Sequence, residues 1–332
     1  MTEPEDVSNG GHLSKPEPRQ ILSMKSLPVA FILFVFGIMW GVFMHIHVRW
    51  LLQWDKEPDR RDFSRETRGQ IQGIIFVLIA IMWVGCYAQC IVTPPGGIPD
   101  TDEWRYKEGD SNSEVGEDVQ HEKKKGGKRR WCKWCHKYKP DRCHHCRVCK
   151  VCVLKMDHHC PWIHNCVGFG NHKYFFLLLL YSVSACHLVS WGMVESVQLS
   201  IDVETPFWTM LALLFGESLA VFLAILLSAF WGFHIWLVLQ AMTTIEFCEK
   251  SSKNGGSNGK YISPYQRPSA LGNVQDVLGK NPIVWFLPVR GPPAPATSGA
   301  RGPGLTYLDE RTSLMQDGSG SSGGGGNGKY KR

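Results

Sequence analysis

The sequence predicts an all-α polytopic membrane protein, with four transmembrane helices and a cysteine-rich cytosolic domain between the second and the third. Three observations predict it. The stretches 26–48, 69–99, 174–194 and 218–245 contain no Asp, Glu, Lys or Arg. Lys and Arg are shared unevenly among the segments that join them. Eight of the 12 cysteines fall within residues 132–166. Averaged over 332 residues, 44% hydrophobic and 20% charged would suit about two soluble domains, but the clustering of the apolar residues excludes an ordinary soluble enzyme.

The elements follow in order. Residues 1–26 form an N-terminal tail expected in the cytosol, of which 1–20 are polar with several Pro and Gly and are expected to be disordered. It has no short apolar segment at its start, so a cleaved secretory signal is not expected. Spans are placed near 27–48, 71–92, 174–197 and 207–240, because a bilayer core needs about 20 apolar residues in a helix. A buried helix of a large soluble protein rarely runs that long without charge. Gly37, Gly41 and Gly73 would weaken a soluble helix but suit packed membrane helices. His45 and His47 close the first span and are expected at the interface. Glu195 and Glu217 lie toward the lumenal ends of spans three and four, and are expected at the interface or facing the bundle interior; the rival reading is a functional intramembrane carboxylate.

Counting Lys and Arg orients the chain. The tail holds 3, residues 93–173 hold 16, and the segment after 240 holds 11. Loop 49–70 holds 6 and loop 198–206 none, so one face carries 30 and the other 6. The positive-inside rule puts both termini and the cysteine-rich segment in the cytosol. Loop 49–70 is a mild conflict. Cytosolic thiols stay reduced, so clustered cysteines there read as metal ligands or a nucleophile rather than disulfides.

Between 121 and 160 there are 13 basic residues against 3 acidic ones, among them Lys123, Lys124, Lys125, Lys128, Arg129 and Arg130. Such a run reads as a solvated linker, as a surface for anionic lipid, or as a lure for a phosphorylated acyl donor. Nucleic acid is discounted, because membrane spans tether both sides. Residues 241–290 form a C-terminal region. In it, Asn281-Pro282-Ile283-Val284-Trp285-Phe286-Leu287-Pro288 is an apolar patch expected to dock on the bundle or the interface. Residues 291–332 are a Gly/Pro/Ser-rich flexible tail.

The cysteine-rich run reads Cys132-x2-Cys135-x9-His145-Cys146-x2-Cys149-x2-Cys152, then Asp157-His158-His159-Cys160 and Cys166. Zinc favours four Cys or His ligands, often in Cys-x2-Cys pairs. There are enough here for two sites with one or two cysteines left over. Spacing does not say which ligand belongs to which site, nor which cysteine stays free. Chemistry narrows the possibilities. A zinc-bound thiolate is a poor nucleophile, whereas a free cysteine beside a histidine is a good one. Asp157-His158-His159-Cys160 supplies acid, imidazole and thiol within four residues, and only a short segment separates Cys160 from the third span. The thiol can therefore sit at the membrane face, where an acyl chain is available.

From Trp131 to Leu180 the chain resembles protein S-acyltransferases of the Asp-His-His-Cys type, the palmitoyltransferases. The resemblance rests on Arg142-x2-His145-Cys146-x2-Cys149-x2-Cys152-x4-Asp157-His158-His159-Cys160-Pro161-Trp162-x2-Asn165-Cys166-x-Gly168. Thr243-Thr244-Ile245-Glu246 after the fourth span matches a second family motif, and Asn273 resembles a third. Pro94-Pro95-Gly96 departs from the family's Asp-Pro-Gly, and Cys143 and His164 stand where many relatives have other residues. The resemblance implies two structural zinc ions. One would be held by Cys132, Cys135, His145 and Cys152, the other by Cys146, Cys149, His159 and Cys166. Cys160 would then be the nucleophile and Cys143 an inert spare. The implied reaction is a two-step acyl transfer from palmitoyl-CoA to cysteines of membrane-associated proteins. His158 would be the general base, Asp157 its orienting partner, and Thr244 a hydrogen-bond donor to Asp157. Burying each CH2 adds roughly 0.8 kcal/mol, which favours long chains. The tail segment Asn281–Pro288 is similar to that of fungal vacuolar members, which implies the vacuolar membrane and an armadillo-repeat vacuolar protein as substrate.

Three rivals are weaker. A RING-type ubiquitin ligase on a membrane anchor wants another ligand order, with a longer gap before its second pair. A transporter with a zinc domain would be expected to show inverted repeats and more membrane charges. An acyltransferase that has lost activity does not fit an intact Asp157, His158 and Cys160.

Overall fold

The computed structural model describes residues 26–107, 129–253 and 263–289. The N-terminal tail, the run Lys123–Lys125 with Lys128, and the glycine-rich tail lie outside the described residues. Four helices are long and apolar enough to cross a membrane: α1 (Leu27–Leu52), α2 (Phe63–Val92), α3 (His172–Asp202) and α4 (Phe207–Leu239). Phe34, Ile74, Trp191 and Phe222 stand exposed on them, as side chains bathed in lipid do. Pro28 sits in the first turn of α1, where its missing N–H has no helical acceptor anyway. Asp62 caps α2 by accepting the Arg65 N–H at 3.2 Å.

The first span differs from expectation at its far end. It continues past residue 48 to Leu52, and Val42–Val48 winds as a π-helix. The wider turn carries His47 inward rather than to the interface. His47 is fully buried, with Nδ1 2.7 Å from Ser196 Oγ on α3 and Nε2 2.6 Å from Gln72 Oε1 on α2. Both ring nitrogens are thus satisfied, which is the condition for burying an imidazole among apolar helices. His45 is exposed, as expected. At the same end Arg68 pairs with Glu195 at 2.9 Å, and Arg61 with Glu66 at 3.4 Å. Two of the six basic residues of loop 49–70 are therefore locally neutralised.

The chain is mostly helical, as expected, and the cysteine-rich segment between α2 and α3 folds as three two-stranded antiparallel hairpins. These are β1 (Trp131–Cys132) with β2 (Lys137–Tyr138), β3 (His144–Cys146) with β4 (Val151–Val153), and β5 (His158–Cys160) with β6 (Asn165–Val167). Each turn contains one left-handed residue: His136, Lys150 and His164. Strands of two or three residues carry too little periodicity to be read from sequence.

The connection after α2 fastens this segment to the bundle through main-chain groups. Leu154 N–H donates to Gly96 O at 3.1 Å and Gly170 N–H to Pro95 O at 2.9 Å. Asn165 Nδ2 reaches the carbonyls of Cys90 and Thr93, both at 3.0 Å. Because these contacts use backbone oxygens, the departure at Pro94 leaves the docking in place. They also demand close approach: a Cβ on Gly170 would collide with the Pro94 carbonyl oxygen, and one on Gly168 would lie 2.6 Å from Val153 Cγ1.

After α4 the chain forms α5 (Thr244–Lys253) and α6 (Ala270–Leu278). Asn273 is buried and ties α6 to the end of α4, donating from Nδ2 to Leu239 O at 2.8 Å. The apolar patch docks as expected. Lys173 Nζ donates to Val284 O at 2.7 Å and to Val289 O at 3.1 Å, and Tyr181 OH donates to Phe286 O. Pro288 lies against Gly85 of α2, while Ile283 and Phe286 remain exposed.

Candidate active site and metal centres

Strand alternation sorts the histidines and cysteines. Neighbouring residues of a strand point to opposite faces, and directly paired residues share one. In β3, His145 pairs with Cys152, so these two meet, and Cys146 turns the other way. In β5, His159 pairs with Cys166 on one face, while His158 and Cys160 share the opposite face with Val167 and Asn165.

Two sets of four result. Around His145 Nδ1 lie the sulfurs of Cys135, Cys132 and Cys152 at 3.3, 3.5 and 3.8 Å. Around His159 Nδ1 lie those of Cys149, Cys166 and Cys146 at 3.4, 3.5 and 3.7 Å. Each set can hold a metal ion. Zn–S bonds near 2.3 Å and Zn–N bonds near 2.05 Å, set tetrahedrally, give an S···N edge of about 3.5 Å, so the donors fit zinc. The thiols also compete for protons: the hydrogen bond with Cys166 pulls Cys149 down to about 5, and the same contact drives Cys166 up. A divalent cation removes that conflict by taking all the sulfurs as thiolates. Cys143 belongs to neither set and is fully buried beside Cys152.

Cys160 is also outside both sets. Its thiol lies 5% exposed in an apolar cluster built from Trp83, Tyr87 and Cys90 of α2, Tyr174, Phe175 and Leu178 of α3, and Ile163. Val29, Ile32 and Phe36 of α1 pack on this cluster. Trp83 stacks on Phe36 with centroids 4.4 Å apart and donates Nε1–H to Ser182 Oγ at 2.9 Å.

His158 shares the Cys160 face. Its Nδ1 is 2.7 Å from Asp157 Oδ2. Asp157 in turn accepts the Thr244 N–H at 2.9 Å on Oδ1 and the Thr244 hydroxyl at 2.8 Å on Oδ2. Thr244 opens α5, so the carboxylate also sits at a helix N-terminus. Burial opposes charge on both partners and is outweighed. His158 is pushed up to about 9 by its hydrogen bonds to Asp157 and Cys160, and Asp157 is held well below the usual carboxylate range by its hydrogen bonds with His158 and the Thr244 N–H.

Behind Thr244 lies a buried ion pair. Arg142 Nε and Nη2 donate to the Glu246 oxygens at 2.7 and 2.9 Å, and the guanidinium lies over Tyr265 at 4.5 Å. Removing one member of a buried pair leaves an uncompensated charge. Glu246→Ala is therefore expected to destabilise the fold by about 3–5 kcal/mol. Thermal unfolding in detergent, followed by thiol exposure, measures it; an unchanged midpoint would refute the coupling.

Sequence reasoning anticipated the nearness of Asp157, His158, Cys160 and Thr244. It missed His172 and His234, which α3 and α4 bring to Asp157. Signals were present: His172 lies four residues beyond the end of the long motif, and His234 is an ionisable residue inside a span.

Fold and site together define a class: a multi-pass membrane protein whose cysteine-rich unit carries two metal-competent clusters and sets one further thiol against the helices. A family model described as DHHC palmitoyltransferase matches residues 125–251. Palmitoyltransferase ZDHHC15 of Xenopus laevis is 31% identical over 233 residues, covering 65% of this chain and 67% of the relative. Palmitoyltransferase ZDHHC15 of Rattus norvegicus is 35% identical over 176 residues, 49% of this chain and 48% of the relative. Palmitoyltransferase ZDHHC2 of Mus musculus is 34% identical over 174 residues, 48% and 43% respectively. The chain belongs to the DHHC palmitoyltransferase family. It spans about half the length of the mammalian relatives it matches.

Proposed function

We propose that the protein is a protein-cysteine S-palmitoyltransferase that carries a long acyl chain on Cys160. The observation that carries this reading is the position of that sulfur: outside both metal-competent sets, on the same face of β5 as His158, and inside the apolar cluster. Cys132, Cys135, His145 and Cys152 hold one zinc ion, and Cys146, Cys149, His159 and Cys166 the other. With four protein ligands each they have no open position, and they supply cross-links to a segment with little core of its own.

The reaction is thioester exchange in two steps. His158, held by Asp157, takes the Cys160 proton. The thiolate attacks the carbonyl carbon of palmitoyl-CoA, the bond to the CoA sulfur breaks, and CoA leaves with a proton from His158. A substrate cysteine then gives its proton to His158 and attacks the acyl-Cys160 carbonyl, returning Cys160 to its thiolate. One thioester replaces another, so no nucleotide is consumed. The acyl chain lies along the apolar cluster among α1, α2 and α3, and the positive charge of the basic run attracts the CoA phosphates. The distribution of basic residues supports a cytosolic position for both termini and the cysteine-rich segment. The substrates are membrane-associated proteins with cytosolic cysteines. A vacuolar membrane and an armadillo-repeat partner rest on the Asn281–Pro288 segment alone.

Purified protein mixed with labelled palmitoyl-CoA is expected to release one CoA per chain and to retain a hydroxylamine-sensitive label. Label without CoA release, or label resistant to hydroxylamine, overturns the reading. Thr244→Val keeps the backbone donor and removes the hydroxyl. A hydrogen bond to a charged group contributes about 1.5–3 kcal/mol, so kcat/KM is expected to fall roughly 10- to 100-fold. Zinc content should stay at two per chain, which separates lost orientation from lost folding.

A further inference from the structure

Asp157 is the meeting point of two imidazoles that acyl transfer does not use. His172 opens α3 and His234 lies in α4, and both are almost fully buried. A ring nitrogen of each and a carboxylate oxygen of Asp157 all lie within 4.8 Å of one another. Neither imidazole makes a side-chain hydrogen bond among the described residues. Phe175, Phe230 and Phe233 surround His234 with ring centroids at 5.2, 4.7 and 5.8 Å, and offer it no polar partner. A neutral imidazole has one donor and one acceptor, and no neighbouring side chain among the described residues takes up either on these two rings, so their nitrogens remain available to a ligand. The carboxylate has room for a further contact. Oδ2 accepts from His158 and from the Thr244 hydroxyl, whereas Oδ1 accepts only the Thr244 N–H.

Two imidazoles and one ionised carboxylate, converging from α3, α4 and the residue that precedes β5, are a donor set for a divalent first-row transition metal. We propose that Asp157, His172 and His234 form a third metal site, and that an ion there inhibits the enzyme by drawing on the carboxylate that orients His158. The site carries one negative ligand where each cysteine cluster carries three, and Lys155 is buried nearby. It therefore fills at higher free metal than the two zinc clusters and behaves as a regulatory site. The binding claim stands without the acyl-transfer reading; the inhibition claim rests on it.

The test uses full-length protein in detergent with both cysteine clusters loaded with zinc, titrated with Co2+. One Co2+ per chain is expected, with weak d–d absorption and no sulfur-to-cobalt charge transfer. It should be lost in His234→Phe, which suits the aromatic surroundings, and in His172→Asn, and kept in Cys160→Ser. Absence of this ion overturns the site. So does a charge-transfer band that vanishes in Cys160→Ser, because the ion would then sit on the nucleophile. Release of zinc in step with cobalt uptake overturns it as well. For the second claim, added Zn2+ is expected to block acyl-enzyme formation, with the half-inhibiting concentration at least tenfold higher in His234→Phe, each protein compared with its own metal-free rate. A filled site with undiminished acylation overturns inhibition alone. If the untreated protein forms no acyl-enzyme, acyl transfer itself fails, and cobalt stoichiometry still decides the site.

Discussion

Cys160→Ser is expected to form no hydroxylamine-sensitive acyl-enzyme and to lose transfer by a factor on the order of 10^4 or more, the scale seen when one member of a nucleophile–base unit is removed. The substitution exchanges one atom. The serine hydroxyl fits the space between Asn165, the α2 cluster and His158, so the hairpin and both metal-competent sets should keep their geometry. What changes is acidity: a thiol near neutrality yields its proton to a neighbouring imidazole far more readily than a hydroxyl does. Zinc content of two per chain and an unchanged melting transition identify a folded, inactive protein. Cys90 is the instructive alternative, because its thiol is buried in the same apolar cluster. A Cys160→Ser protein that still carries a hydroxylamine-sensitive chain would move the nucleophile to Cys90 or elsewhere, and the role given to Cys160 would fall.

The second expected effect separates two adjacent residues. His158→Ala should leave a folded protein with two zinc ions and acylation reduced roughly 10^2- to 10^4-fold, the usual worth of a positioned base. His159→Ala should release one zinc ion and unfold the cysteine-rich segment. Structural zinc supplies about 10–16 kcal/mol in small finger-like units, comparable to or larger than the 5–15 kcal/mol stability of a whole domain. Zinc measured by mass spectrometry and limited proteolysis of the segment distinguish the two outcomes. The reason is local geometry: β5 turns His159 toward Cys146, Cys149 and Cys166, and His158 toward Asp157 and Cys160. If both variants lose zinc, or neither does, that division of the strand is wrong.

The same pair shows how far the residues could be read without coordinates. Charge-free length located the four helices, because a bilayer rejects charge along every face of a helix, and that demand needs no knowledge of neighbours. Cysteine density announced metal chemistry for a similar reason, since no soluble core or cytosolic disulfide accounts for it. The role of His47 was not legible. A histidine at the end of an apolar run belongs at the interface unless a π-turn carries it inward onto Gln72 and Ser196, which lie 25 and 149 residues away. The hairpins were not legible either, because strands this short leave no period.

The chain by itself determined that four stretches are long and apolar enough to cross a membrane, that clustered cysteines and histidines can hold metal, and that acid, imidazole and thiol stand together at residues 157–160. Those are properties of composition and adjacency. Only the tertiary structure decided that Glu246 neutralises Arg142 behind Thr244, and that His172 and His234 close on the Asp157 carboxylate. These groups come from segments separated by tens of residues. Their meeting depends on how the end of α4 and the start of α5 pack against the hairpins, and no local pattern records that.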